Sequence, residues 1–117
     1  MNVLQSSKNN MSERIEKVNK LIKGLVANFL NAESSSASLI SVTNIDTSPD
    51  LKKATVYLSV LPENQEKTAL LFAKRKLPDI REHLKKNMET KHIPFLEVEL
   101  DMGEKNRQKI DELLREK

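Results

Sequence analysis

Apolar residues in the first third of the chain fall at Ile15, Val18, Ile22, Leu25, Val26 and Phe29. Offsets of three and four place them on one face of a helix. Ser12 is the expected N-cap, and Glu13 and Glu16 suit the positive end of that helix. Gly24 interrupts the face as a mild weak point where another backbone is expected to come close. The Ser-rich stretch "NAESSSAS" ends the helix in a loop. The period then changes to two. In strand one, Leu39 to Thr47, Ile40 and Val42 alternate with Ser41 and Thr43, and Ile45 restarts the pattern out of step after Asn44. A β-bulge near Asn44 accounts for the shift. Ser48-Pro49-Asp50-Leu51 reads as a turn. Strand two, Ala54 to Leu61, has the cleanest alternation: Ala54, Val56, Leu58 and Val60 on one face, Thr55, Tyr57 and Ser59 on the other. One packed face and one wet face point to an antiparallel sheet backed by helices.

After "LPEN" a second helix is expected over about Gln65 to Lys76, with Ala69, Leu70, Phe72 and Ala73 toward the core. "KRKLPDI" breaks it. Leu77 precedes a proline and is expected to leave the α region, and Pro78 suits the first turn of a new helix. That helix carries Ile80, Leu84 and Met88 at intervals of four. Pro94 ends it. "FLEVEL" is a third strand, with Leu96, Val98 and Leu100 inward and Glu97 and Glu99 outward. The expected order, αββααβ, makes a two-layer α+β sandwich. Residues 1–11 read as a disordered N-terminal tail, with Met11 a second possible start, and 12–102 as the folded domain. Residues 103–117 read as a C-terminal tail with a short helix around Ile110, Leu113 and Leu114.

Length and composition fit that picture and narrow the chemistry. The 117 residues suit one domain, and 38% hydrophobic against 32% charged supports one modest core. There are no cysteines, which excludes disulfides, thiolate metal sites and Cys nucleophiles. The two histidines stand apart from acidic clusters, so neither a metal nor a cofactor is expected. No apolar run approaches the ~18 residues of a membrane span. The N-terminus has no secretory h-region, so the expected location is the cytoplasm.

Charge is where the chain becomes informative. Residues 74–92 hold seven basic side chains, Lys74, Arg75, Lys76, Arg81, Lys85, Lys86 and Lys91, against three acidic ones, Asp79, Glu82 and Glu89. That surplus of four exceeds the net +3 of the whole chain, leaving the remainder at −1. The basic residues gather at the helix break, where the N-terminus of the new helix also attracts phosphate. They are the candidate RNA-binding residues, and Leu77 and Pro78 form the candidate kink. His83 lies beside the Ile80/Leu84 stripe and reads as a partly buried structural histidine. His92 reads as a capping or solvent-facing one. Tyr57 reads as a sheet-packing residue, with base stacking as the alternative. Asp46, Asp50 and Asp101 are scattered over turns and strand ends, and no Ser-His-Asp set or nucleotide motif accompanies them. No catalytic residue is assigned.

The element order resembles a type II KH domain. More narrowly, the chain resembles the bacterial ribosome-binding factor A family over roughly Ser12 to Leu114. The resemblance is carried by "RIEKVNKLIKGLVANFL", "SPDLKKATVYLSVL", "DIREHL", and "IPFLEVELD" before "KIDELL". It implies a non-enzymatic, monomeric assembly factor that binds the small ribosomal subunit and its 16S rRNA late in maturation, during rRNA processing, often linked to growth in the cold. Ribosomal proteins or other assembly factors are further candidate partners. The family carries an Ala-x-Gly kink between its two central helices; here the position reads Lys76-Leu77-Pro78. The family's Asp-x-Ser after the last strand reads Asp101-Met102-Gly103, and a following glycine is Arg107. The competing expectation is a small protein-interaction module that docks a partner through its sheet edge or tail helix.

Overall fold

The apolar stripe of the first segment does form a helix in the computed structural model, which describes residues 3–33, 38–89 and 92–103, with side chains from Glu13 onward. This helix, α1, runs Val3–Glu33. It starts well before Ser12, so residues 3–11 are helical where a disordered tail was expected. No proline or glycine lies between Val3 and Ser12, and propagating an existing helix is far easier than nucleating one. Ile22, Val26 and Leu30 are its fully buried residues, and Val18, Leu25 and Phe29 pack at the margin. Leu30 continues the i, i+4 series from Val26, one residue beyond the stripe expected from Phe29.

Strands β1 (Leu39–Thr47) and β2 (Lys53–Leu61) pair antiparallel. The register slips between Val42 and Asn44, so the expected bulge is present and Ile45 returns to the buried face. After a single 3-10 turn, α2 spans Glu66–Arg75 and α3 spans Leu77–Asn87; β3 is Phe95–Leu100. The sheet order is β1-β2-β3, and β3 pairs parallel with β2. The sheet is therefore mixed, which corrects the antiparallel expectation. A hairpin reverses the chain, but the α2–α3 crossover carries it back to the end where β2 began, and parallel pairing follows.

Among the described residues, helices cover one face of the sheet and none covers the other. α1 lies against β1 and α3, and α2 against β2 and β3. Ala54, Val56, Leu58 and Val60 are all buried, as are Leu96 and Val98 from β3 and Ile80, Leu84 and Met88 from α3. Thr55, Tyr57 and Ser59 stay half-exposed on the other side. The two-layer α+β sandwich is as expected. Thr47, the one buried polar residue among those described, donates its hydroxyl to Asn19 Oδ1 and so ties β1 to α1.

Candidate nucleic-acid interface

The helix break falls on Lys76. Its backbone is near-helical, at φ −87° and ψ −2°, and its N–H donates to Phe72 O at 3.1 Å while its carbonyl accepts from Ile80 N–H at 2.8 Å. Leu77 lies inside α3, correcting the expectation that Pro78 drives it out of the α region. Pro78 sits in the first turn, where a missing N–H has no partner to lose. The kink is thus one tight residue and not an open loop. The α3 N-terminus carries Asp79 in its first turn, where a carboxylate suits the positive end of the helix.

The seven candidate cations divide by what holds them. Lys76 is a clasp: its ammonium lies 3.9 Å from Glu33 at the end of α1, 4.0 Å from Asp79 of α3, and 5.9 Å from the centre of the Phe72 ring of α2. Arg81 is half-buried and donates from Nη1 to Pro94 O at 3.3 Å, bracing the segment before β3. Lys85 pairs with Glu82 at 3.4 Å. Lys74, Arg75 and Lys86 are exposed and form no ion pair among the described residues. Lys91 lies outside the described residues. The structure therefore brings a cationic set to one helical layer and leaves three members uncommitted. Sequence alone could not sort them, because the partners Glu33 and Pro94 are remote in the chain.

The outer face of the sheet has the opposite sign. The register aligns Asp46, Thr55 and Glu97 in one row and Asn44, Tyr57 and Glu99 in the next. Asp101 closes the face by accepting the Thr43 hydroxyl at 2.5 Å. Lys53 pairs with Glu97 at 3.2 Å. Tyr57 stands amid acidic groups, so a base stacked on it would bring its phosphates against carboxylates. The sheet-packing reading is the one this setting favours. His83 is half-buried as expected, 5.7 Å from the Phe29 ring, with Asn87 donating to its carbonyl at 2.8 Å. His92 is exposed. No helix among the described residues is long and apolar enough to cross a membrane.

Taken together, the fold and its charge layout define a small α+β protein with a cationic helical layer and an anionic open sheet. The chain belongs to the ribosome-binding factor A family, whose model matches residues 14–114. Ribosome-binding factor A of Clostridium botulinum (strain Loch Maree) is 31% identical over 100 residues, covering 85% of this chain and 82% of that one. The Thermomicrobium roseum protein is 33% identical over 78 residues; this chain spans 60% of its length, and 66% of this chain is matched. In fold, the chain is similar to the crystal structure of ribosome-binding factor A from Thermus thermophilus, with a TM-score of 0.66 at 21% identity, covering 73% of this chain and 92% of that one. It is also similar to a Thermus thermophilus homology model fitted into a cryo-EM map of a 30S complex with that factor, with a TM-score of 0.62 at 22% identity, covering 69% of this chain and 88% of that one.

Proposed function

We propose that this chain is a ribosome assembly factor of type II KH-like fold that binds the small ribosomal subunit and its 16S rRNA during late maturation. In this reading it acts in the cytoplasm, without catalysis, holding RNA by backbone charge and shape. The observation that carries the reading is the partition of charge. Among the described residues, Lys74, Arg75 and Lys86 project uncommitted from the helices, while the outer sheet face carries Asp46, Glu97 and Glu99. Phosphate is drawn to the first surface and repelled by the second. Family membership supports the same partner, as does the Thermus thermophilus relative fitted into a 30S complex.

The test is pelleting of the protein with purified subunits at rising salt. Binding to small subunits, stronger when they carry unprocessed 16S rRNA ends and weaker as salt rises, is the expected result. Equal binding to small and large subunits would overturn the assignment. The competing module, docking a protein through the outer edge of β1 or β3, requires subunit binding that hardly responds to salt.

A further inference from the structure

A groove of about 580 Å³ opens at the hairpin-turn end of the molecule, where α1, the β1–β2 turn, the end of α3 and the approach to β3 converge. None of the basic residues at the helix break lines it. Its floor is apolar: Val18 from α1, Met88 at the α3 cap, and Ile93 before β3, the last two buried. Leu51 walls the turn side. Arg14 and Lys52 stand exposed on the rim, neither in an ion pair among the described residues, and His92 lies at the far lip. The carboxylate in the lining, Asp50, is committed to the turn. It accepts the Ser48 hydroxyl at 2.6 Å and the Lys52 N–H at 3.0 Å.

Leu51 is the unusual residue. Its φ is 62°, in the left-handed region that favours glycine. The turn locks it there: Leu51 N–H donates to Ser48 O at 2.9 Å, Ser48 N–H to Lys53 O at 2.8 Å, and Lys53 N–H to the Ser48 hydroxyl at 3.1 Å. Backbone strain held by over-determined surroundings gathers at binding sites. Here the side chain that glycine would lack is the one that walls the groove. The opposite side is equally braced, with Arg81 on Pro94 O and Phe95 N–H donating to Lys52 O at 2.8 Å. The groove is preformed, as ligand sites usually are.

We propose that this groove receives one unstacked nucleotide of RNA, its base against the aliphatic walls and its flanking phosphates on Arg14 and Lys52. The proposal rests on the RNA-binding reading above and adds a second contact to it. Arg14 and Lys52 outnumber the one carboxylate of the lining, Asp50, so the rim is net positive and favours an anionic ligand. Lys86, which forms no ion pair among the described residues, lies in the last turn of α3, two residues before Met88, so a strand following α3 arrives at the groove without crossing the acidic sheet. An apolar floor under a cationic rim fits a splayed-out nucleotide, and not a duplex, which shows its neighbours phosphate and ribose. Single strands are held by charge along the backbone together with contact to the base faces, ordinarily from aromatic rings; here the aliphatic side chains of Val18, Leu51, Met88 and Ile93 take that place.

The test uses the full chain and two fluorescein-labelled single-stranded oligoribonucleotides, one of mixed sequence and one abasic, with equal numbers of phosphates. The wild type should prefer the base-bearing strand by about tenfold. Leu51→Gly, which suits the backbone, should abolish most of that preference and leave the salt dependence unchanged. Leu51→Asn also tolerates the left-handed region and should behave alike, so a folding defect in one variant does not blunt the test. Lys74→Ala/Arg75→Ala should do the converse, lowering the salt dependence and keeping the base preference. Equal wild-type affinity for both strands, or an undiminished preference in the Leu51 variants, overturns the proposal and gives the apolar floor to a protein side chain. Absence of salt-dependent binding to either strand would instead sink the RNA reading itself.

Discussion

Replacing Lys74, Arg75 and Lys86 with glutamine in one variant should lower the salt sensitivity of RNA binding with little loss of stability. All three are exposed and unpaired among the described residues. For single strands each phosphate contact contributes about −0.7 to the slope of log affinity against log salt, so three contacts contribute about −2. Raising salt from about 50 to 200 mM would then weaken the wild type by about 18-fold through these residues alone, and the variant would lack that component. None of the three forms an ion pair among the described residues, so their removal should cost well under about 1 kcal/mol in total, and the melting temperature should move by only a few degrees. Lys76→Gln is the informative contrast. Its ammonium is shared between Glu33, Asp79 and the Phe72 ring. Its loss should loosen the three-helix junction and leave the slope almost unchanged. Fluorescence anisotropy across a salt series, beside a circular-dichroism melt, reads both quantities. A triple variant with the wild-type slope would refute the assignment of these cations to phosphate. An equal slope change from Lys76→Gln would show that the clasp opens on binding.

Other expectations concern the scaffold. A Cβ on Gly24 meets nothing within 4 Å, which corrects the expectation of a close backbone there. Gly24→Ala should stabilise the protein by about 0.5–1 kcal/mol in a denaturant titration, and a loss of stability would reveal a neighbour at that helix face. Val56, 1% exposed, should not tolerate aspartate, whose unpaired buried charge would unfold the domain in a thermal melt. Thr55→Lys, set between Asp46 and Glu97, should raise stability by a few tenths of a kcal/mol, and equal damage from both changes would mean the outer face is packed. Hydrogen bonds from Ser48 and Lys52 hold the Asp50 carboxyl below its usual value of 3.8. A depressed folded pKa contributes stability above the unfolded value, lost as pH falls through the folded one. Asp50→Asn should therefore flatten the stability profile below about pH 4, as followed by acid titration of the melt, and an unchanged acid limb would refute that coupling.

The strands were the most legible part of the sequence. Period-two alternation is a local property, and Ala54, Val56, Leu58 and Val60 are buried without exception. Even the bulge showed, because Ile45 had to regain the buried face. What escaped depends on residues distant in the chain. Parallel pairing of β3 is set by the crossover, not by anything in "FLEVEL". The break was legible as an event but shifted by one residue: in the first turn of α3 Pro78 costs no helical hydrogen bond, and Leu77 is helical despite the steric bias of the following proline. The basic run announced itself by composition. Its division into structural and uncommitted members did not, because Glu33 lies far from Lys76 in sequence and Pro94 far from Arg81. The groove beside Leu51 gave only a faint signal, a leucine at a turn position where glycine or asparagine is ordinary.

The two faces of the molecule bear on each other. The helical layer could contact phosphate in many orientations if charge alone governed docking, since a cationic patch attracts a polyanion without specifying how it lies. On the proposed reading the carboxylates of the sheet narrow those orientations: Asp46, Glu97 and Glu99 would repel the phosphates of RNA from that face. Lys53 pairs with Glu97 and does not reverse the sign. Among the remaining poses, a shaped apolar feature is needed to fix register, because phosphate contacts position a chain without reading it. The Leu51 groove lies at the end of α3 whose last turn carries Lys86. Attraction, exclusion and shape thus come from three different parts of one small fold. The Ser48–Lys53 hairpin turn joins two of these functions, since it connects two strands of the acidic sheet and also carries the groove wall.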